Sequence, residues 1–364
     1  MIRMISTIDA INKYDISNAV HDIVHTSSIL SQPDKLTFIL EDVAKINDNY
    51  GFNEIIKLGA TIKFYNDEIP IFKGIVFKIS RDSTGAFQVV AYSPARYLQN
   101  HMDYEVYEKG KHRVYMVFDD VCKYLGIPYR SNMALHNKMF QQYNTPKILL
   151  DKSGYEIIKT CCEEIESQYK WLYKIPVSSV GGSITVNCSP IFFIKDTFGS
   201  LELKDVLEEF EKNTNPYILG KDSYLIDWAY DVDVDTDTYN EIFVRYNETD
   251  AQGNKIYNTK IKQASTIKEW GNLRKYVVMN GNTTEAEVSN YMQTVLSATN
   301  RAKRSMKLTA IGVDGLVAGE SFYLDIDSGM NIQNACYIIS ATHRYSDGIH
   351  TMELQVNTHD LMPD

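Results

Sequence analysis

The chain has 364 residues, 44% of them hydrophobic and 23% charged, which allows two or three domains of roughly 100 to 200 residues and excludes a disordered or low-complexity chain. A formal net charge of -10 argues against direct nucleic-acid binding, because gripping a polyphosphate depends on Lys and Arg displacing condensed counterions. The five cysteines (Cys122, Cys161, Cys162, Cys188, Cys336) are odd in number and form no CxxC pair, so reduced structural thiols are expected, and no apolar run approaches the roughly 18 residues of a membrane span.

Most of the first hundred residues read as short strands, at Leu36 to Leu40, Ala60 to Tyr65, Ile71 to Ile79 and Phe87 to Ala91, punctuated by Asn, Asp, Gly and Pro. Helical spacing follows at Val114, Val117, Phe118, Val121, Cys122 and Leu125, and Gly126 and Pro128 stop it, with no clear residue capping its start. Ser153 and Glu156 then form a capping-box pattern ahead of Ile157, Ile158, Cys161, Cys162 and Ile165, predicting a second helix with both thiols on its buried side. Ile191 to Lys195 and Leu201 to Lys204 flank Asp196-Thr197-Phe198-Gly199, a hairpin signature. Strands return at Tyr224 to Val234 and Glu241 to Tyr246. Thr284 and Glu287 cap a helix whose apolar stripe is Val288, Tyr291, Met292, Val295, Leu296 and Thr299. Four more strands are expected at Met306 to Ile311, Ser321 to Ile326, Tyr337 to His343 and His350 to Val356, with Asp347-Gly348 turning the last hairpin.

The two strand-rich ends share an order of signals. Lys35-Leu36-Thr37-Phe38-Ile39 is answered by Lys307-Leu308-Thr309-Ala310-Ile311, and Gly59, Ile62, Phe64 and Tyr65 by Gly319, Phe322, Tyr323 and Leu324. Gly74 to Ser80, turning at Gly85 into Phe87 to Ala91, is answered by Cys336 to Thr342, turning at Gly348 into His350 to Leu354. Such a series predicts one small β-barrel occurring twice; three copies of the chain in a cyclic trimer would then present six barrels in a ring. Chance similarity between hairpins is the competing account.

Residues from about 234 to 356 resemble a known family. The run Asp237-Thr238-Tyr239-Asn240-Glu241-Ile242, then Ile267-Lys268-Glu269-Trp270-Gly271-Asn272-Leu273, the helix before Arg301, Met306 to Gly312, Ala318-Gly319 and Thr351 to Leu354 follow the segment order of the defective-prophage type of baseplate hub protein, found in contractile phage tails and phage-tail-like bacteriocins. Phe72 to Ile79, Ala91-Tyr92-Ser93, Arg96-Tyr97-Leu98 and Phe198 to Leu203 are similar to it too, while Asn272 stands where an aliphatic residue is more usual. Gly59, Gly74, Tyr239, Asn240, Trp270, Gly271, Gly319 and Gly348 are the structural and family-motif positions. The resemblance implies an α+β, mainly β fold with two tail-tube-like antiparallel barrels: residues 1–100, an α+β middle domain at 101–212, and a second barrel at 213–364 with a helical insertion at about 265–305. It implies a homotrimeric hub whose partners are the tail tube protein, the central spike protein and other baseplate proteins, assembled in the bacterial cytoplasm into a virion or tailocin-like particle.

Candidate chemistry is sparse. Asp231, Asp233, Asp235 and Asp237 alternate with other residues, so in a strand all four carboxylates would share one face, and calcium is the sharpest reading of them as metal ligands. An EF-hand loop from Asp231 would need Gly sixth and Glu twelfth, where Thr236 and Ile242 stand. A solvated edge protected by charge, or a surface facing a basic patch on a neighbouring subunit, are the other readings. The eight His form no HExxH or ligand cluster; His343 and His350 flank the last hairpin turn as cross-strand neighbours. No GxSxG elbow, phosphate loop or dinucleotide fingerprint occurs, so neither an enzyme nor a cofactor is expected. A peptidoglycan hydrolase remains the main alternative, since a glycosidase needs only two carboxylates and the chain has 47 Asp and Glu; a glycan-binding adhesin is the third.

Overall fold

The computed structural model describes residues 1–9, 12–29, 32–41, 55–81, 85–106, 113–131, 147–176, 183–213, 216–220, 223–249, 255–326 and 332–357. These form two compact units, residues 1–229 with 306–364, and residues 230–305. Among the described residues no helix is long and apolar enough to cross a membrane.

Alternating burial makes strands of both ends of the chain. In order these are β1 (Ile2–Thr7), β2 (Lys13–Asp15), β3 (Val20–Ser28), β4 (Lys35–Leu40), β5 (Thr61–Asn66), β6 (Ile69–Arg81), β7 (Phe87–Tyr92) and β8 (His101–Val106). The helix Val114–Tyr124 follows, then β9 (Tyr129–Arg130), β10 (Lys147–Ser153), the helix Gly154–Gln168, β11 (Trp171–Pro176), β12 (Ser183–Cys188), β13 (Phe192–Asp196), β14 (Leu201–Asp205), the helix Val206–Lys212, β15 (Ile218–Gly220) and β16 (Leu225–Asp233). The smaller unit supplies β17 (Glu241–Thr249), β18 (Lys255–Gln263), the short helix Ile267–Trp270, β19 (Arg274–Asn282) and the helix Glu285–Thr299. The chain ends with β20 (Lys303–Ile311), β21 (Ser321–Ile326), β22 (Ile332–Ser346) and β23 (Ile349–Asn357).

One thirteen-stranded sheet dominates the larger unit, in the order β16-β20-β23-β22-β3-β4-β7-β6-β5-β1-β2, with β21 on β22 and β15 on β21. The sequence repeat is present in it as a four-stranded module. Antiparallel pairing runs β4-β7-β6-β5 in the first copy and β20-β23-β22-β21 in the second. Correspondence extends to register: Ile62 faces Gly74 and Phe322 faces Cys336, while bulges at Phe77 and Ile339 interrupt β6 and β22 at matching points. Burial is in phase, with Leu36, Phe38 and Leu40 buried on β4 as Met306, Leu308 and Ala310 are on β20. Among the described residues no pairing closes either module into a barrel, and each is a four-stranded antiparallel run within the one sheet. They are joined edge to edge, because β3 pairs with β4 on one side and with β22 on the other.

Apolar side chains decide where the cores lie. Met4, Leu36, Phe38, Ile62, Phe64, Phe72 and Val89 centre the first module, and fully burying a side chain of this size contributes about 1.5–3 kcal/mol. The middle of the chain packs separately around Phe118, Val121, Ile157, Cys161, Tyr173 and Phe210. Its helix Gly154–Gln168 starts at the predicted capping box, with the Ser153 hydroxyl accepting from the Glu156 N–H and the Glu156 carboxylate accepting from the Ser153 N–H. The helix Val114–Tyr124 has no side-chain cap, matching its sequence. Phe198 and Gly199, at φ +51° and +85°, turn the β13–β14 hairpin where Asp196 to Gly199 predicted it.

In the smaller unit β17 pairs antiparallel with β18 and parallel with β19. The helix Glu285–Thr299, capped by Thr284 and Glu287, buries Val288, Met292 and Leu296 against Ile242, Val244 and Tyr246. β19 lies within residues 265–305, where a helical insertion is expected, and β17 and β18 precede it. β18 was not foreseen because Lys255–Gln263 is exposed at every second position and has no apolar stripe to betray it.

Candidate functional site

The motif positions separate into two groups, each held by backbone geometry. In the larger unit, Gly59 and Gly319 take φ +84° and +85°, a left-handed conformation costly for residues with a side chain. The N–H of Gly59 donates to the Val76 carbonyl (2.9 Å) and the N–H of Val76 to the Ala60 carbonyl (2.9 Å). Gly319 repeats the arrangement with the carbonyl of Ile338 (2.8 Å), whose N–H donates to Glu320 (2.9 Å). Gly74 lies under β7, where a Cβ would stand 2.3 Å from the Tyr92 carbonyl oxygen, and Gly348 turns the last hairpin at φ +76°.

In the smaller unit, Asn240 is fully buried and gathers the other motif residues. Its side-chain amide donates to the Gly271 carbonyl (2.8 Å) and accepts from the Leu273 N–H (2.8 Å). Gly271, at φ +76°, reverses the chain after Trp270 so that both partners face Asn240. Tyr239 sits under the Lys275 ammonium, 5.1 Å from its ring centre. Glu241, which sequence reasoning did not single out, is buried and accepts from Gln263, Arg274 and Asn272, holding its carboxyl below the usual carboxylate range. Asn272 spends its side-chain amide on this carboxylate (3.2 Å). These residues form a structural clasp, their polar groups spent on one another.

The four aspartates do not share one strand face. β16 ends at Asp233, whose carboxylate accepts from the N–H groups of Asp235 (2.7 Å) and Thr236 (2.9 Å), folding the chain into a turn. Asp237 follows with φ +53°. Among the described residues no group of three or more His, Cys, Asp or Glu is placed to hold a metal ion.

The joint between the two modules carries a cluster of buried polar groups. His25 of β3 and His343 of β22 are register partners, both buried. The Leu316 carbonyl can only accept, so His343 Nε2 donates to it (3.0 Å), leaving Nδ1 to meet His350 Nε2 at 3.0 Å. Asp314 accepts from the Tyr345 hydroxyl (2.8 Å) and the Asn66 amide (2.9 Å), and lies 3.5 Å from His350 Nδ1. Burial, with His25 and His350 alongside, pushes the His343 imidazole down to about 3. The hairpin position predicted His343 and His350 as neighbours; His25, far away in sequence, gave no signal.

One groove bears on hydrolysis. A cavity of about 200 Å³ is lined by Tyr155, Ile158, Cys162, Glu163, Glu166 and Phe192 among others, and burial raises the Glu166 carboxyl to about 7. Glu166 accepts from the Phe192 N–H (2.9 Å), a bond that ties β13 to the helix.

The fold recurs in phage tails. A 43 kDa tail protein of prophage MuSo2 from Shewanella oneidensis is similar at TM-score 0.64 and 12% identity, over 99% of this chain and 100% of that one. A tail protein from Neisseria meningitidis MC58 is similar at TM-score 0.61 and 10% identity, over 99% and 97%. Prophage tail protein gp18 from Listeria monocytogenes EGD-e is similar at TM-score 0.54 and 10% identity, over 98% and 94%. No curated protein matches the chain. A family model described as YQBQ-like matches residues 23–357.

Proposed function

Because the chain belongs to the YQBQ-like family, a prophage tail family, we propose that this tail protein is the baseplate hub that joins a six-fold tail tube to a three-fold central spike. The observation that carries the reading is the doubled module. Two copies of one β-unit lie in a single sheet in each chain, so a ring of three chains offers six near-equivalent docking positions on one side and three-fold symmetry on the other. The middle α+β region and the inserted unit supply further contact surface for the spike and other baseplate proteins. Obligate contacts of this kind bury more than roughly 2,000 Å² without any short motif marking them. The hub acts by geometry, with no cofactor and no chemistry of its own, and joins the particle after folding in the bacterial cytoplasm.

The test is mass in solution, alone and mixed with the tube protein and the spike protein of the same particle. Three copies of the chain per complex are expected; a complex with one or two copies would end the hub reading. Glu166, whose carboxyl burial raises to about 7 in a groove, is a feature that favours a peptidoglycan hydrolase as the second reading. Clearing of a peptidoglycan zymogram by the wild type and not by Glu166→Gln would establish that activity instead.

A further inference from the structure

The joint inside the chain specifies where a second copy of the chain would attach. β3 is the outer neighbour of β4 in the first module, and β16 holds the same place beside β20, the counterpart of β4. β3 spends its other edge on β22, from Ser28 opposite Ser340 to Ile23 opposite Tyr345, in the stretch following the Ile339 bulge. The counterpart of β22 is β6, and the counterpart of that stretch is Lys78–Arg81, following the Phe77 bulge. Among the described residues Lys78–Arg81 pairs only with β7, and β16 pairs only with β20. The chain therefore fills one such joint internally and leaves its two halves open, one on each module.

We propose that these open edges pair between copies, the β16 edge of one chain adding antiparallel to the Lys78–Arg81 edge of β6 in the next, as β3 adds to β22 within the chain. Charge selects this occupant. Lys78 and Arg81 are exposed on the β6 edge, whereas β16 presents Asp227 and, further along, Asp231, both exposed. Exposed apolar surface accompanies them: Tyr224 and Ile226 at the start of β16, and Phe77 at the bulge of β6. β3, flanked on both sides, instead buries Ile23, His25 and Ser27. An edge with unpaired N–H and C=O groups is a template for strand addition, and opposite charges in line along it fix partner and direction. Each copy offers one edge of each kind, so the contact is head-to-tail and can close into a ring. This rests on the hub reading for the ring's size, three copies, and adds which surfaces make it.

Sedimentation of the full chain over a concentration series, at low and high salt, tests the pairing. The wild type is expected to reach a closed trimer whose association weakens as salt rises. Lys78→Glu with Arg81→Glu on one edge, or Asp227→Lys with Asp231→Lys on the other, should each weaken association at least tenfold, with circular dichroism melts unchanged. All four substitutions in one chain should restore it, because the charges again oppose. A trimer indifferent to either reversal would overturn the edge contact while leaving the hub reading intact. A chain that is monomeric at every concentration would also overturn it, the hub reading then resting on the mixtures with tube and spike protein.

Discussion

Asn240 and His343 are polar groups inside the protein, and burial obliges each to find partners or lose stability. Asn240 satisfies both ends of its amide on one loop, so its side chain does the work of a strand neighbour between Gly271 and Leu273. His343 is held neutral, since a charge there would be desolvated beside two other imidazoles, His25 and His350, with Asp314 reached only through His350. The sign follows from the depressed folded value. The unfolded imidazole takes up a proton near pH 6.5, the folded one only near pH 3, so between those values the unfolded state binds more protons and stability falls as pH drops, by up to about 1.4 kcal/mol per unit. Urea midpoints at pH 7, 6 and 5 should therefore decline for the wild type and decline less for His343→Phe. Equal slopes would show that His343 does not set acid sensitivity.

Paired elements invite paired substitutions. Gly59 and Gly319 occupy equivalent turns with nearly the same φ, but their surroundings differ: a Cβ on Gly59 would meet nothing within 4 Å, and one on Gly319 would stand 2.1 Å from the Phe193 ring. Gly59→Ala should cost only the conformational strain, about 1–2 kcal/mol, and Gly319→Ala that strain plus the displacement of Phe193. Denaturant unfolding of the two variants would measure the difference, and Gly59→Ala proving the worse would contradict the turn geometry. The elements legible in the sequence were those with strong local signals: both capping boxes, the Asp196–Gly199 turn and the alternating strands of both modules. β1, β2, β3, β8, β9, β10, β11, β12, β15, β18, β19 and the helix Val206–Lys212 lie outside the elements expected from the sequence. β18 and β19 are largely exposed, and tertiary pairing with β17 is what makes them strands.

On the scale of the whole molecule, duplication is the feature that function would use. If three chains close as proposed, two modules per chain must each receive one tube subunit. A hub and tube complex should then hold two tube chains for every hub chain, countable by native mass spectrometry or by quantitative amino-acid analysis of the isolated complex. A ratio of one to one would mean that only one module docks the tube, and that the resemblance between the modules has no role there.

The strands of the two modules, both capping boxes and the correspondence of Lys35–Ile39 with Lys307–Ile311 followed from the sequence alone, because period-two burial, helix capping and glycine turns are local rules acting over a few residues. That the modules share one sheet through β3 and β22 and that His25 meets His343 were decided by tertiary structure, whereas the turn at Asp233 that breaks up the aspartate row is a local bond pattern. Strand neighbours are chosen by burial and edge complementarity across hundreds of residues, and no local pattern encodes which edge a strand will meet.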